Sequence, residues 1–165
     1  MKNSLYLLYI EMSNYTLWGP ATWILFHTLA EKVKEDKFPI IKYQLISFIK
    51  QICQSLPCPD CAQHATQLLS QYKNYHLIKT KEDFKFFLFN FHNMVNARLK
   101  VPPASKGLLD KYKTTVFQQV FEFWYTHFKV ASGGNNRLMI DAISRERTRT
   151  SFHNFLKSHA HFFVR

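Results

Sequence analysis

Residues 55–65 read SLPCPDCAQHA. Two cysteines stand two residues apart, each preceded by a proline. Three uses fit this stretch: a redox pair, part of a zinc site, or a helix start that happens to contain thiols. Pro59 suits the first position of a helix, where its missing N–H costs nothing. Cys61, Ala65, Leu68, Leu69 and Tyr72 then continue at helical spacing. A helix N-terminus aims unpaired N–H groups and a partial positive charge at the first cysteine. That favours thiolate over thiol, and Cys-x-x-Cys settings lower the pKa to about 3.5–7.5. One helical turn brings the second sulfur close enough to close a disulfide. Such a pair exchanges with a substrate thiol through a mixed disulfide.

The zinc reading has a donor set: Cys53, Cys58, Cys61 and His64. Zinc accepts three thiolates and one imidazole. Structural zinc sites, however, draw ligands from two separated knuckles, and here all four come from one short stretch. Cys53 also falls where the preceding helix is still running. A thioredoxin-type motif is excluded, because its CxxC follows a strand in a βαβ pattern and no strand precedes this one.

Outward from the motif the periodicity is helical nearly throughout. A first helix starts near Trp18-Gly19-Pro20, with Asn14 or Thr16 as candidate caps, and aligns Trp23, Phe26, Ala30 and Val33. A second opens at Phe38-Pro39 and turns Ile41, Leu45, Phe48, Ile49 and Ile52 inward, until the prolines at 57 and 59 break it. Thr80-Lys81-Glu82-Asp83 resembles a capping box with Asp in place of Glu, opening a fourth helix over about 81–100. Pro102-Pro103 ends it. A further helix is expected over about 106–130, stopped by the glycines and asparagines at 132–136. The expected fold class is all-α: a four-helix bundle plus one or more additional C-terminal helices. Residues 137–165 read as a basic, histidine-bearing appendage.

Composition narrows the function. Of 165 residues, 47% are hydrophobic and 16% aromatic, which implies a core of large rings or a flat cofactor held between rings. The net charge of +11 attracts polyanions. The charges are nevertheless scattered and no nucleic-acid motif is present, so nucleic acid is not the expected partner. Three cysteines do not make a disulfide framework. No apolar stretch reaches the roughly 18–20 residues that cross a membrane. The apolar run at 5–10 is short for a signal peptide, no cleavage site follows it, and Met12 is an alternative start. The expectation is a cytoplasmic protein, in which a CxxC serves catalysis or metal binding.

A redox pair needs an electron acceptor, and a flavin is the natural one. Residues 92–100, HNMVNARLK, offer a ring to stack, amides that donate and accept, and a cation for phosphate. On a helix Asn93, Asn96 and Lys100 would share one face. WGPATWILFH at 18–27 adds Trp23 and His27, one turn apart.

WGPATWILFH, LPCPDC and HNMVNARLK, in this order, closely resemble the flavin-linked sulfhydryl oxidases of the Erv/ALR family. The short LPCPxC form looks most like the members encoded by large cytoplasmic DNA viruses. The resemblance covers about residues 14–115. It implies a bundle that holds FAD non-covalently, usually as a homodimer, with Cys58 and Cys61 as the active-site disulfide. It implies cofactor contacts from Gly19, Trp23 and His27, and from His92, Asn93, Val95, Asn96, Leu99 and Lys100. Arg98 lies in the second segment and is expected to assist with phosphates, and Tyr112 matches a later family aromatic weakly.

The implied reaction runs from substrate thiols through Cys58, then Cys61, to FAD and oxygen, giving hydrogen peroxide. Cys58 is expected to face the substrate and Cys61 the flavin, which leaves His64 an ordinary helix residue. No cysteine follows Cys61, so neither a later structural disulfide nor a shuttle CxxC is present. Electrons are then expected from thiol-bearing client proteins or from a thioredoxin-like donor. The resulting division is an extension at 1–13, an oxidase domain at 14–130 and a basic extension at 131–165. If the gene is viral, the location is host cytoplasm or virion.

Overall fold

The computed structural model describes residues 17–129 and 136–164. The caps proposed at Asn14 and Thr16, the alternative start at Met12, the extension at 1–13 and the stop at 132–135 lie outside them.

The all-α expectation holds. The described elements are α1 (Trp18–Lys32), α2 (Phe38–Gln54), α3 (Pro59–Gln71), α4 (Lys81–Leu99), α5 (Phe117–His127) and α6 (Asn136–Ser158), with short 3-10 turns between them. No strand occurs among the described residues. One isolated β-bridge joins Val33 to Phe163.

Local chemistry sets most boundaries. Pro39 stands in the first turn of α2, and Pro59 does the same in α3. Thr80 Oγ1 accepts from Asp83 N at 3.1 Å, while Asp83 Oδ2 accepts from Thr80 N at 2.8 Å, so the capping box of α4 is complete. At the other end of α4, Lys100 adopts φ 56° and ψ 31°. Val101 N donates to Asn96 O and Lys100 N to Ala97 O, a Schellman closure with lysine where glycine is usual.

Helix α1 is the central element. It packs on α4, α5 and the 3-10 segment Lys106–Thr114, while α2 packs on α3 and α6. Leu25, Leu29, Ala30, Phe38, Leu45, Ile52, Phe84 and Leu88 are fully buried between these helices.

Two expectations are corrected. The single helix over 106–130 is instead the 3-10 segment Lys106–Thr114 followed by α5. Thr115 Oγ1 donates to Tyr112 O at 2.8 Å, giving that carbonyl a side-chain donor and closing the turn. The segment 137–165 is also no appendage. Phe152, Leu156 and Phe163 belong to the core, and Phe152 contacts the rings of Phe48, Phe121 and Trp124. Arg149 is buried with its guanidinium 3.7 Å above the Tyr125 ring; it donates to Tyr125 O and pairs with Glu146. These contacts fasten α6 to α5.

Candidate active site

Two concavities meet at the cysteine pair. Cys58 and Cys61 are disulfide-bonded, and both are partly exposed. Cys58 is the N-cap of α3, and its Sγ accepts from Cys61 N at 3.2 Å. The helix therefore directs a backbone donor at this sulfur, which stabilises a thiolate there once the disulfide opens.

The outer concavity is a cleft of about 700 Å³ bordered by Trp18, Pro57, Cys58, Cys61, His127 and Lys129, with Leu17 at its edge. The inner one is a cavity of about 250 Å³, somewhat below the roughly 300–1,000 Å³ of most ligand pockets. Trp18, Gly19, Thr22, Trp23 and Phe26 of α1 form one wall. Cys53 and Leu56 form a second, Asp60, Cys61, His64 and Ala65 of α3 a third, and Phe91, Val95, Arg98 and Leu99 of α4 the last. Cys61 borders both concavities, whereas Cys58 borders only the outer one.

Behind the inner wall the rings are layered. The Trp23 indole stacks on His92 with centroids 3.9 Å apart and planes 7° apart. His27 Nε2 lies 3.0 Å from His92 Nδ1, and His27 stacks on Tyr112 at 5.1 Å. His27 Nδ1 is buried without a partner. Burial, with His92 beside it, pushes the His27 pKa down to about 3; burial alone takes His92 to about 4. Both rings are neutral at neutral pH.

The expected site residues separate into groups. Gly19, Trp23, Cys61, Val95, Arg98 and Leu99 line the inner cavity. His27 and His92 stand behind Trp23. Asn93 points elsewhere: its Oδ1 accepts from Ala104 N at 2.8 Å and holds the loop after α4. Asn96 is half-buried and outside the cavity lining, and its carbonyl serves the helix end. Lys100 does not share a helix face with Asn93 and Asn96 as expected, because the chain has already turned left-handed there, and it is exposed.

His64 is the second correction at the site. It is no ordinary helix residue, since it lines the inner cavity one turn beyond Cys61. Burial, and then the charge of Arg98, hold its pKa below the usual histidine value. The i, i+3 spacing of Cys61 and His64 was available in the sequence and carried this information. Asp60, Thr22, Phe26 and Phe91 are further cavity residues that sequence reasoning did not mark.

Cys53 is buried, and that burial pushes its thiol pKa far up, so it is inert as a nucleophile. Among the described residues no group of three or more His, Cys, Asp or Glu side chains is placed to hold a metal ion. The zinc reading through Cys53, Cys58, Cys61 and His64 is therefore not favoured.

The residues fit the flat, phosphate-bearing flavin expected from the resemblance. A Cβ at Gly19 would meet nothing within 4 Å, so the absent side chain leaves cavity space free. Trp18, Trp23, Phe26 and Phe91 supply apolar walls, Arg98 a cation, and Cys61 a sulfur in the same enclosure.

Comparison with known proteins agrees with this chemistry. The Erv1/Alr family profile matches residues 20–120. The chain is similar to protein 096R of Invertebrate iridescent virus 3, with 32% identity over 98 residues, 59% of this chain and 66% of that protein. It is similar to the FAD-linked sulfhydryl oxidase of African swine fever virus (isolate Tick/Malawi/Lil 20-1/1983), with 38% identity over 82 residues, 50% of this chain and 67% of that protein. The FAD-linked sulfhydryl oxidase ERV2 of Saccharomyces cerevisiae matches at 29% over 84 residues, 50% of this chain and 41% of that protein. The matched segment thus spans about two thirds of the two viral proteins and less than half of the yeast one. No solved structure matches.

Proposed function

This chain belongs to the Erv1/Alr family, and from that membership we propose that it is an FAD-dependent thiol oxidase that forms disulfide bonds in protein substrates. One observation carries the proposal: Cys61 borders both the outer cleft and the inner aromatic cavity, while its disulfide partner Cys58 borders only the cleft. A disulfide with one sulfur turned outward and the other shared with an enclosed cavity is built to receive electrons on one side and release them on the other.

The chemistry follows from that placement. A substrate thiolate attacks Cys58 Sγ, the Cys58–Cys61 bond breaks, and Cys61 leaves as a thiolate. A second substrate thiolate attacks the substrate sulfur of the mixed disulfide, and Cys58 leaves. The N–H of Cys61, aimed at Cys58 Sγ, stabilises that leaving thiolate. FAD, when bound, would supply the acceptor for the electron pair delivered at Cys61, with oxygen as the final oxidant. The net change is two thiols and O₂ to one disulfide and H₂O₂.

Trp23, Gly19, Val95 and Leu99 would hold the ring system, and Arg98 would meet phosphate. His27 and His92 support Trp23 from behind. Asn93 and Asn96 shape the end of α4, and Lys100 offers its charge from solvent just beyond it. The electron donors are thiol-bearing client proteins or a thioredoxin-like protein. The homodimer rests on the family resemblance. No described helix is long and apolar enough to cross a membrane. With the viral relatives, this supports a cytoplasmic location, host cytoplasm or virion if the gene is viral.

The test is a spectrum and an oxygen trace. The purified chain should show flavin absorption and convert dithiothreitol and O₂ to stoichiometric H₂O₂. Protein that is colourless and stays so after incubation with FAD overturns the proposal.

A further inference from the structure

His64 has no role in the mechanism above, yet it shares an enclosure with the sulfur that carries the electrons. Cys61 and His64 are three residues apart on α3, and both line the inner cavity. Three other titratable groups face the same space. Arg98 approaches from α4, Asp60 lies on α3, and Cys53 comes from α2 with its thiol held neutral by burial.

We propose that His64 takes up the proton released when the Cys58–Cys61 disulfide is reduced, so that Cys61 is left as a thiolate paired with an imidazolium. The proposal rests on the thiol oxidase reading. A substrate dithiol gives up two electrons and two protons. The electrons enter the breaking S–S bond. One proton goes to Cys58 Sγ and the other to the His64 ring, while Cys61 keeps the negative charge.

The surroundings give His64 this capacity in one redox state only. While the disulfide is intact, Cys61 carries no charge, and burial together with Arg98 keeps the ring neutral and ready to accept a proton. Reduction then places a negative charge one helical turn away, in a cavity walled by aromatic rings. An opposite charge within about 4–6 Å raises a histidine pKa, and solvent at this partly exposed ring limits the rise to about one unit. Arg98 is permanently charged and Asp60 lies in the first turn of α3; both are exposed, so each acts on the pair only weakly through solvent. His64 is thus the group in this enclosure whose charge follows the redox state of Cys61.

The test uses full-length, FAD-loaded protein carrying Cys58→Ser, which leaves Cys61 as a free thiol. Alkylation of Cys61 by iodoacetamide is followed against pH by mass spectrometry. Adding His64→Gln should raise the midpoint by about one pH unit, seen as roughly tenfold slower alkylation below the midpoint. The high-pH plateau should not change. His64→Lys, which restores a cation, should keep the low midpoint. An unchanged midpoint in His64→Gln, or a shift that His64→Lys fails to reverse, overturns the proposal. Should His64→Gln lose its flavin spectrum, ring titration of ¹⁵N-labelled wild type decides instead: the His64 pKa must rise on reduction, and no rise overturns the proposal. A wild-type chain that oxidises dithiothreitol while the midpoint stays fixed sinks the His64 role alone. One that cannot oxidise dithiothreitol sinks the oxidase reading and this inference with it.

Discussion

His27 Nε2 stands 3.0 Å from His92 Nδ1, a bond that ties α1 to α4 directly behind the Trp23 indole. One ring donates and the other accepts, so the bond needs at least one neutral ring and is lost when both are protonated. Their folded-state values of about 3 and about 4 lie below the ordinary 6.5. Between 6.5 and those values the unfolded chain binds more protons than the folded one, so stability falls as pH falls. Above 6.5 neither ring changes stability with pH. At about 1.4 kcal/mol per pKa unit, the fully buried His27 alone makes this loss a few kcal/mol. Urea unfolding of the FAD-free chain from pH 7 to pH 4 should show the decline, and His27→Phe should make it shallower while the His92 share remains. A level wild-type profile would contradict the geometry.

Gly19 lines the inner cavity, and a Cβ there meets nothing within 4 Å. Gly19→Leu should therefore fold with a melting temperature near wild type, because its side chain enters open space. It should also bind FAD at least tenfold more weakly, about 1.4 kcal/mol, since the added side chain takes up part of a cavity of only about 250 Å³. Flavin fluorescence titration beside a thermal melt separates the two effects.

Cys61→Ser should retain bound flavin and lose dithiothreitol oxidation by at least a thousandfold, because the sulfur shared by both concavities is gone. Cys53→Ala removes a buried thiol with no nucleophilic character. It should keep activity within about threefold while costing roughly 1 kcal/mol of stability from the small void it leaves. Oxygen-electrode rates with denaturation curves test both. Loss of turnover in Cys53→Ala would show that the third cysteine takes part.

Phe152 is fully buried against Phe48, Phe121 and Trp124. Phe152→Ala should cost about 3–5 kcal/mol. Chemical denaturation will measure it, and a loss below 1 kcal/mol would mean that α6 is not part of the cooperative unit.

Much of this architecture was readable locally. Pro59 and Cys58 announced the start of α3, and Thr80 with Asp83 announced α4. The break between 106 and 130 was not readable. It depends on Thr115 capping the Tyr112 carbonyl and on Tyr112 being buried beside His27, contacts that helical periodicity does not encode. The basic sequence of 137–165 looked solvated because its charged residues outnumber its aromatic ones. Its three core residues become visible only when α2 and α5 supply the rings they pack against.

The sequence alone established the helical class, the positions of most helix starts, and the order of the three motifs that mark the family. Caps, prolines and i, i+4 spacings act within one or two turns, so they survive without knowledge of the rest of the chain. Tertiary packing decided that Thr22, Phe26 and Phe91, distant in sequence from Cys61, close the inner cavity against it. This depends on where α1 and α4 lie relative to α3. That arrangement is set by burial of aromatic side chains distant in sequence, and no local pattern reports it.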